Sequence, residues 1–197
     1  MKRIGILGGT FNPIHIGHLT IAEMAFEQLK LDKVIFVPSY LPPHKSERNV
    51  APAKDRYHMV RLAVQGNPRF AVSDYEVKKK GKSYSIKTVK HFHACHPTGT
   101  KFFFIIGSDL LPTLYKWKRI DEILKIVSFV SVNRPGFKEQ KSKIKVKSIA
   151  VPGLQTSSSF VRNRIILRKT VRYLVPDNVL KYIKKNKLYM RSNSRKG

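Results

Sequence analysis

Residues 101–107, KFFFIIG, carry an apolar run with no polar alternation, the pattern of a strand covered on both faces. The stretch FFFII within it is far too short to span a bilayer. A short buried strand is also expected at RIGIL (3–7), and further strands at KVIFVP (33–38, stopped by Pro38), at SFVSVN (128–133, ended by RPG) and at KVKSIAVP (145–152). A further short strand with a basic turn is expected over 70–82. Between these lie helical patterns. From Ile16 to Lys30 the apolar positions Leu19, Ala22, Met24, Ala25, Phe26 and Leu29 follow a helical period. Other helices are expected near 54–65, over roughly 84–96, in a stretch containing Pro112 that leads to IDEILKI, and near 157–168 and 177–186. Strands alternating with helices, without repeats, predict an α/β fold. The expected form is a single Rossmann-like domain over 1–189, with a mostly parallel sheet, helices on both faces, and a basic, disordered tail at 190–197. In open sheets of this type ligands bind beyond the carboxyl ends of the strands. GGTFNP, GSD and NRPG all fall there.

The single Cys95 cannot form an intrachain disulfide, and MKRIGILGGT lacks the apolar length of a signal peptide. Both favour a cytoplasmic protein with no membrane association. The chain holds 39 Lys and Arg against 12 Asp and Glu, a formal charge of +27. This excess favours polyanions, whether nucleic acid, an anionic membrane or phosphorylated small molecules. The basic residues concentrate in KKKGK (78–82), KEQKSKIKVK (138–147) and the end from Lys181 to Lys196, without a recognisable nucleic-acid motif. They read as a solvated surface that binds polyanions nonspecifically.

The stretch GGTFNPIHIGH (8–18) follows the first strand and opens the first helix. Gly8 and Gly9 allow a tight turn and let a phosphate approach backbone N–H groups. The spacing matches neither GxGxxG nor GxxxxGK[ST]. His15 and His18 stand three apart on one helical face, with Gly17 leaving room between them for a ligand, and their imidazoles suit an anion whose charge grows during reaction. Two histidines on a helix are, taken alone, more often surface or packing residues, and the local spacing supplies no further zinc ligands.

The pattern HxGH after strand–GGTFNP is narrower, and it resembles the HIGH motif of the nucleotidyltransferase superfamily. Far downstream, TSSSFVR (156–162) resembles the family's ISSTxxR, with serines opening a helix and Arg162 able to reach back. From Lys2 to about Tyr189 the chain is most similar to bacterial nicotinate-nucleotide adenylyltransferases. That similarity rests also on PSYLPPHK (38–45), GKSYSIKT (81–88), FFIIGSDLLPTLYKW (103–117), NRPG (133–136) and the closing LVPDNVLKYIKKNKLY. The resemblance implies that nicotinate mononucleotide attacks the α-phosphate of ATP, giving nicotinate adenine dinucleotide and pyrophosphate in NAD biosynthesis. It implies that Gly8, Gly9, Thr10 and Phe11 line the ATP site, with His15 and His18 at its phosphates. Gly107 and Asp109 would meet the ribose, and Ser157, Ser158 and Arg162 would hold the triphosphate tail. Ser159 is left as a helix cap. Trp117 would stack on the pyridine ring, the backbone around Ser85 and Lys118 would receive the carboxylate, and His44, Lys45 and Arg134 would approach the nucleotide phosphate. Mg²⁺ would be held mainly by ATP and water.

The chain departs from the family pattern at Ser85 (usually Thr), at Lys118 (usually Tyr), at Ser39 and Tyr40 (commonly Asn) and at Asn12 (more often Asp). HFHACH (91–96) puts His91 and Cys95 on one helical face and His93 and His96 on another, which prevents convergence on one tetrahedral ion and predicts a half-buried Cys95. The rival readings are a pantetheine-phosphate adenylyltransferase, which leaves PPHK, SYS and LYKW unexplained, and an inactive basic nucleic-acid-binding module on the same fold.

Overall fold

The computed structural model describes residues 1–42, 50–133, 141–153 and 156–190. Six strands, β1 (Arg3–Gly9), β2 (Lys33–Pro38), β3 (Phe70–Val72), β4 (Lys101–Gly107), β5 (Val127–Asn133) and β6 (Lys147–Ala150), form one sheet in the order β3-β2-β1-β4-β5-β6. Every strand pairing among the described residues is parallel. This is the doubly wound order whose direction reverses between β1 and β4, which opens a crevice at their carboxyl ends.

Because side chains alternate along a strand, each strand feeds two cores. On β4, Phe103 and Ile105 enter one cluster while Phe102, Phe104 and Ile106 enter the other. On β2, Val34 and Phe36 oppose Ile35 and Val37 in the same way. The first core is covered by α1 (Ile16–Gln28), α2 (Ala53–Val64), α6 (Ser158–Ile166) and α7 (Asp177–Lys185). The second is covered by α4 (Ser85–Cys95), α5 (Ile120–Leu124) and a 3-10 helix over Ser108–Lys116. α7 is tied to α2 by the Tyr182 hydroxyl, which donates to Asp55 at 2.7 Å. Burial first, and then that carboxylate, push the Tyr182 pKa up to about 12. Among the described residues no helix is long and apolar enough to cross a membrane.

Several local expectations are corrected. On α1 the buried face is Gly17, Ile21, Ala22 and Ala25, continued by Leu29, whereas Leu19, Met24 and Phe26 are only partly covered. The stretch 70–82 holds β3 and then a short helix, α3 (Tyr75–Lys79), where only a basic turn was expected. The Pro112 stretch is 3-10 rather than α, in keeping with a proline that cannot donate into an α-helical ladder. Residues 191–197 of the expected tail lie outside the described residues.

Candidate active site

β1 ends at the crevice with Gly8 exposed and Gly9 under the ring of Phe11. A Cβ on Gly9 would lie 2.9 Å from that ring, so a side chain there would expel it. Phe11 itself takes φ +47°, an unusual conformation for a bulky residue, and its ring is only 2% exposed. The ring packs on Phe36 at 5.9 Å and edge-on to His18 at 5.0 Å. Phe11 is therefore a buried anchor beneath the loop, and it can line an ATP site only through its backbone.

α1 begins with His15 as its N-cap, in extended conformation. The His15 N–H donates to His18 Nδ1 at 3.2 Å, and the two rings lie 3.7 Å apart at 32°. With Nδ1 accepting, neutral His18 carries its proton on Nε2 and so keeps a donor there. His15 is 2% exposed and lies behind the half-buried His18. Gly17 does not leave space for a ligand, as the sequence suggested. A Cβ there would stand 3.1 Å from both the His15 ring and the Thr156 methyl, so the glycine admits those two groups.

Thr156 leads into α6, and this helix is clipped directly to the first loop. The Ser158 hydroxyl donates to the Pro13 carbonyl at 2.9 Å, and Arg162 Nη1 donates to the Asn12 carbonyl at 2.8 Å, across 150 residues of sequence. The caps differ from expectation. Ser157, not Ser159, accepts the Phe160 N–H at 3.1 Å, while Ser159 Oγ accepts from Arg162 Nη2 at 3.1 Å. Ser159 thus orients the arginine. Ser157→Ala is expected to lower stability by about 1 kcal/mol, the usual worth of such a cap, whereas Ser159→Ala should cost little; denaturant titration of both checks this.

Across the crevice β4 ends at Gly107, where a methyl would run into the Asp109 carboxylate. The following 3-10 helix delivers Trp117, half-buried and edge-on to Phe104 at 5.9 Å and Phe129 at 5.8 Å. Lys118 Nζ lies 4.8 Å from the centre of the Tyr84 ring, beside Ser85 at the start of α4. The first N–H groups of a helix have no partner within it, so this corner can receive an anion. His44, Lys45 and Arg134 lie outside the described residues.

Sequence reasoning missed Arg56, on α2. It is 1% exposed and donates to the carbonyls of Ala51 (2.9 Å), Thr10 (2.7 Å), Ser39 (2.6 Å) and Tyr40 (2.9 Å). Burial pulls its pKa below the usual guanidinium value. Glu76 on α3 was also missed. Burial raises its pKa, opposed by hydrogen bonds from the Thr88 and Ser83 hydroxyls. Burial likewise raises the Tyr189 phenol, which lies in the fields of Arg56 and Arg162. An arginine inside a helix ordinarily reads as a solvated side chain, so no pattern in the sequence marks Arg56.

The HFHACH segment is taken up by packing. His91 stacks on Tyr75 at 3.9 Å, His96 Nδ1 lies 2.8 Å from the Phe92 carbonyl oxygen, and Cys95 is exposed rather than half-buried. No cluster of three or more His, Cys, Asp or Glu able to hold a metal occurs among the described residues.

Residues 6–164 match the cytidylyltransferase-like family model. A probable nicotinate-nucleotide adenylyltransferase of Oceanobacillus iheyensis is 42% identical over 189 residues, covering 96% of this chain and 97% of that protein. One from Clostridium acetobutylicum is 43% identical over 201 residues, covering 96% and 100%. Among solved structures, the Plasmodium falciparum nicotinic acid mononucleotide adenylyltransferase complexed with NaAD shares the fold. Its TM-score is 0.79 at 21% identity, with 96% of this chain and 98% of that one covered.

Proposed function

The chain belongs to the cytidylyltransferase-like family and, within it, to the nicotinate-nucleotide adenylyltransferases, and we propose that it transfers the adenylyl group of ATP to nicotinate mononucleotide. The observation that carries this reading is the clip between α6 and the first loop, through Arg162 on Asn12 and Ser158 on Pro13. It joins the two stretches that this reading assigns to the phosphates, at the reversal point of the sheet.

In this reaction an oxygen of the mononucleotide phosphate forms a bond to the α-phosphorus of ATP as the bond to the β-phosphate oxygen breaks. Nicotinate adenine dinucleotide and pyrophosphate are released. The attacking phosphate is already anionic, so no general base is needed. Catalysis rests on alignment and on charge stabilisation. Gly8, Gly9 and Thr10, with the backbone of Phe11, admit the triphosphate. Gly107 and Asp109 take the ribose. His18 donates from Nε2 to the oxygens on which charge grows, with His15 holding its ring, while Arg162 and the start of α6 at Ser157 and Ser158 stabilise the departing pyrophosphate. Mg²⁺ enters as part of the nucleotide substrate, and no step is assigned to a metal held by the protein.

The pyridine ring lies against Trp117, whose electron-rich face suits a pyridinium. Its carboxylate meets the first N–H groups of α4 at Ser85, with Lys118 adding positive charge, and His44, Lys45 and Arg134 complete the mononucleotide end. An amide would turn its own N–H₂ toward some of those donors, and a mismatched buried polar group costs about 1–3 kcal/mol. The acid is therefore expected to be preferred by about tenfold or more in kcat/KM. Steady-state kinetics on nicotinate and nicotinamide mononucleotides tests this for the wild type and Lys118→Glu. The substitution should weaken the acid selectively. Equal efficiency on acid and amide in the wild type would remove the nicotinate assignment and leave the broader adenylyl transfer.

A further inference from the structure

We infer that Arg56 is a positioning residue that fixes the ATP half of the crevice against the mononucleotide half, an inference that rests on the reaction proposed above. The guanidinium joins three segments through backbone carbonyls alone. Thr10 belongs to the loop after β1, Ser39 and Tyr40 follow β2, and Ala51 precedes α2. A second bond runs in parallel, from the Ala51 N–H to Asn12 Oδ1 at 2.9 Å.

The connection continues to the start of α4. The Tyr40 N–H donates to Ser83 Oγ at 2.9 Å, and the Ser83 N–H returns a bond to the Leu41 carbonyl at 2.9 Å. Glu76 on α3 accepts from Thr88 Oγ1 on α4 and so holds that helix beside α3. A continuous path therefore leads from Thr10, through Arg56, Tyr40 and Ser83, to the helix start that flanks Lys118 and Trp117. One planar guanidinium stands at its centre.

Arginine suits this place through geometry rather than charge. Its donors form a rigid planar fork, whereas a lysine ammonium presents three donors from one point and cannot reach four carbonyls spread around it. Burying a charge without a hydrogen-bonded carboxylate is costly, and an apolar side chain of similar volume would leave these four carbonyls without their donor. What an apolar residue cannot do is hold three loops in register. In-line transfer is sensitive to such register, because a displacement of about 1 Å can cost about 10²-fold in rate.

The test uses the full chain with Arg56→Lys and Arg56→Ala. Binding of ATP and of nicotinate mononucleotide is measured separately by calorimetry, turnover by pyrophosphate release, and folding by thermal melting. For Arg56→Lys we expect each substrate alone to bind within about threefold of wild type while kcat falls by about 30-fold or more. In folded Arg56→Ala, added guanidinium should restore turnover, whereas it should not do so in His18→Ala. Should Arg56→Ala fail to fold, the lysine variant decides alone. A lowered melting temperature with kcat preserved in Arg56→Lys would show a merely structural role and overturn the inference, while the reaction proposed above would stand. A wild type without turnover would remove that reaction and this inference with it.

Discussion

His18→Ala is expected to lower turnover by about 10²-fold or more, the usual loss when a donor at developing charge is removed. Affinity for nicotinate mononucleotide should hardly change, because the proposed role of His18 is at the reacting phosphates as charge moves. The ring is held on two sides, by the His15 N–H on Nδ1 at 3.2 Å and by the edge contact with Phe11 at 5.0 Å. Such holding fixes where Nε2 can donate. A loss in kcat with unchanged mononucleotide binding marks an interaction made in the transition state. His15→Ala should also slow the reaction, since the neighbouring ring loses its support. Unlike His18→Ala it should destabilise the fold, because His15 is 2% exposed and its removal leaves a cavity. Steady-state kinetics, calorimetry and thermal melting on both variants check this. Near-normal turnover in His18→Ala would remove the catalytic reading of the HIGH stretch.

Arg162→Ala should carry the second large effect, a fall of about 10²-fold in kcat/KM for ATP, as the charge-assisted contact proposed to the pyrophosphate is lost. The side chain has two places in the fold, on the Asn12 carbonyl and on Ser159 Oγ. Arg162→Lys retains the charge but not the two-pronged geometry, and should fall between wild type and alanine. Ser159→Ala removes only an orienting contact and should cost far less, a few-fold at most. Initial-rate measurements at varied ATP separate the three. Equal kinetic losses in Arg162→Ala and Ser159→Ala would show that the phosphate cradle is misassigned.

Much of the order of strands and helices was legible because β1, β2 and β4 bury nearly continuous apolar runs. The face of α1 was harder to read. Apolar residues occur at so many of its positions that the period alone favours Met24 and Phe26 as readily as Ile21, and only the sheet beneath decides. α3 was missed because YEVKK merges into a lysine run with too little apolar pattern to register as a helix. In the candidate site, the stretches that the sequence singled out and the fold brings together are those whose residue types are unusual together: the paired glycines, the two histidines and the serine run ending at Arg162. Gly17 was assigned the wrong beneficiary, since the sequence cannot say that His15 and Thr156 would close on it. The cap falls on Ser157 and not Ser159 for a similar reason, as the choice depends on where the helix starts within a run of identical residues. Arg56 and Glu76 gave no signal because both act through backbone or hydroxyl groups brought together by the fold.

The most direct measurement of the central claim is pyrophosphate release by the purified chain with ATP and Mg²⁺, given nicotinate mononucleotide, nicotinamide mononucleotide or pantetheine phosphate in turn. Release is expected to depend on a pyridine mononucleotide, about tenfold or more efficient with the acid than with the amide, with none from pantetheine phosphate. Release with pantetheine phosphate but with neither pyridine nucleotide, or no release with any of the three from a folded protein that binds nucleic acid, would contradict that claim.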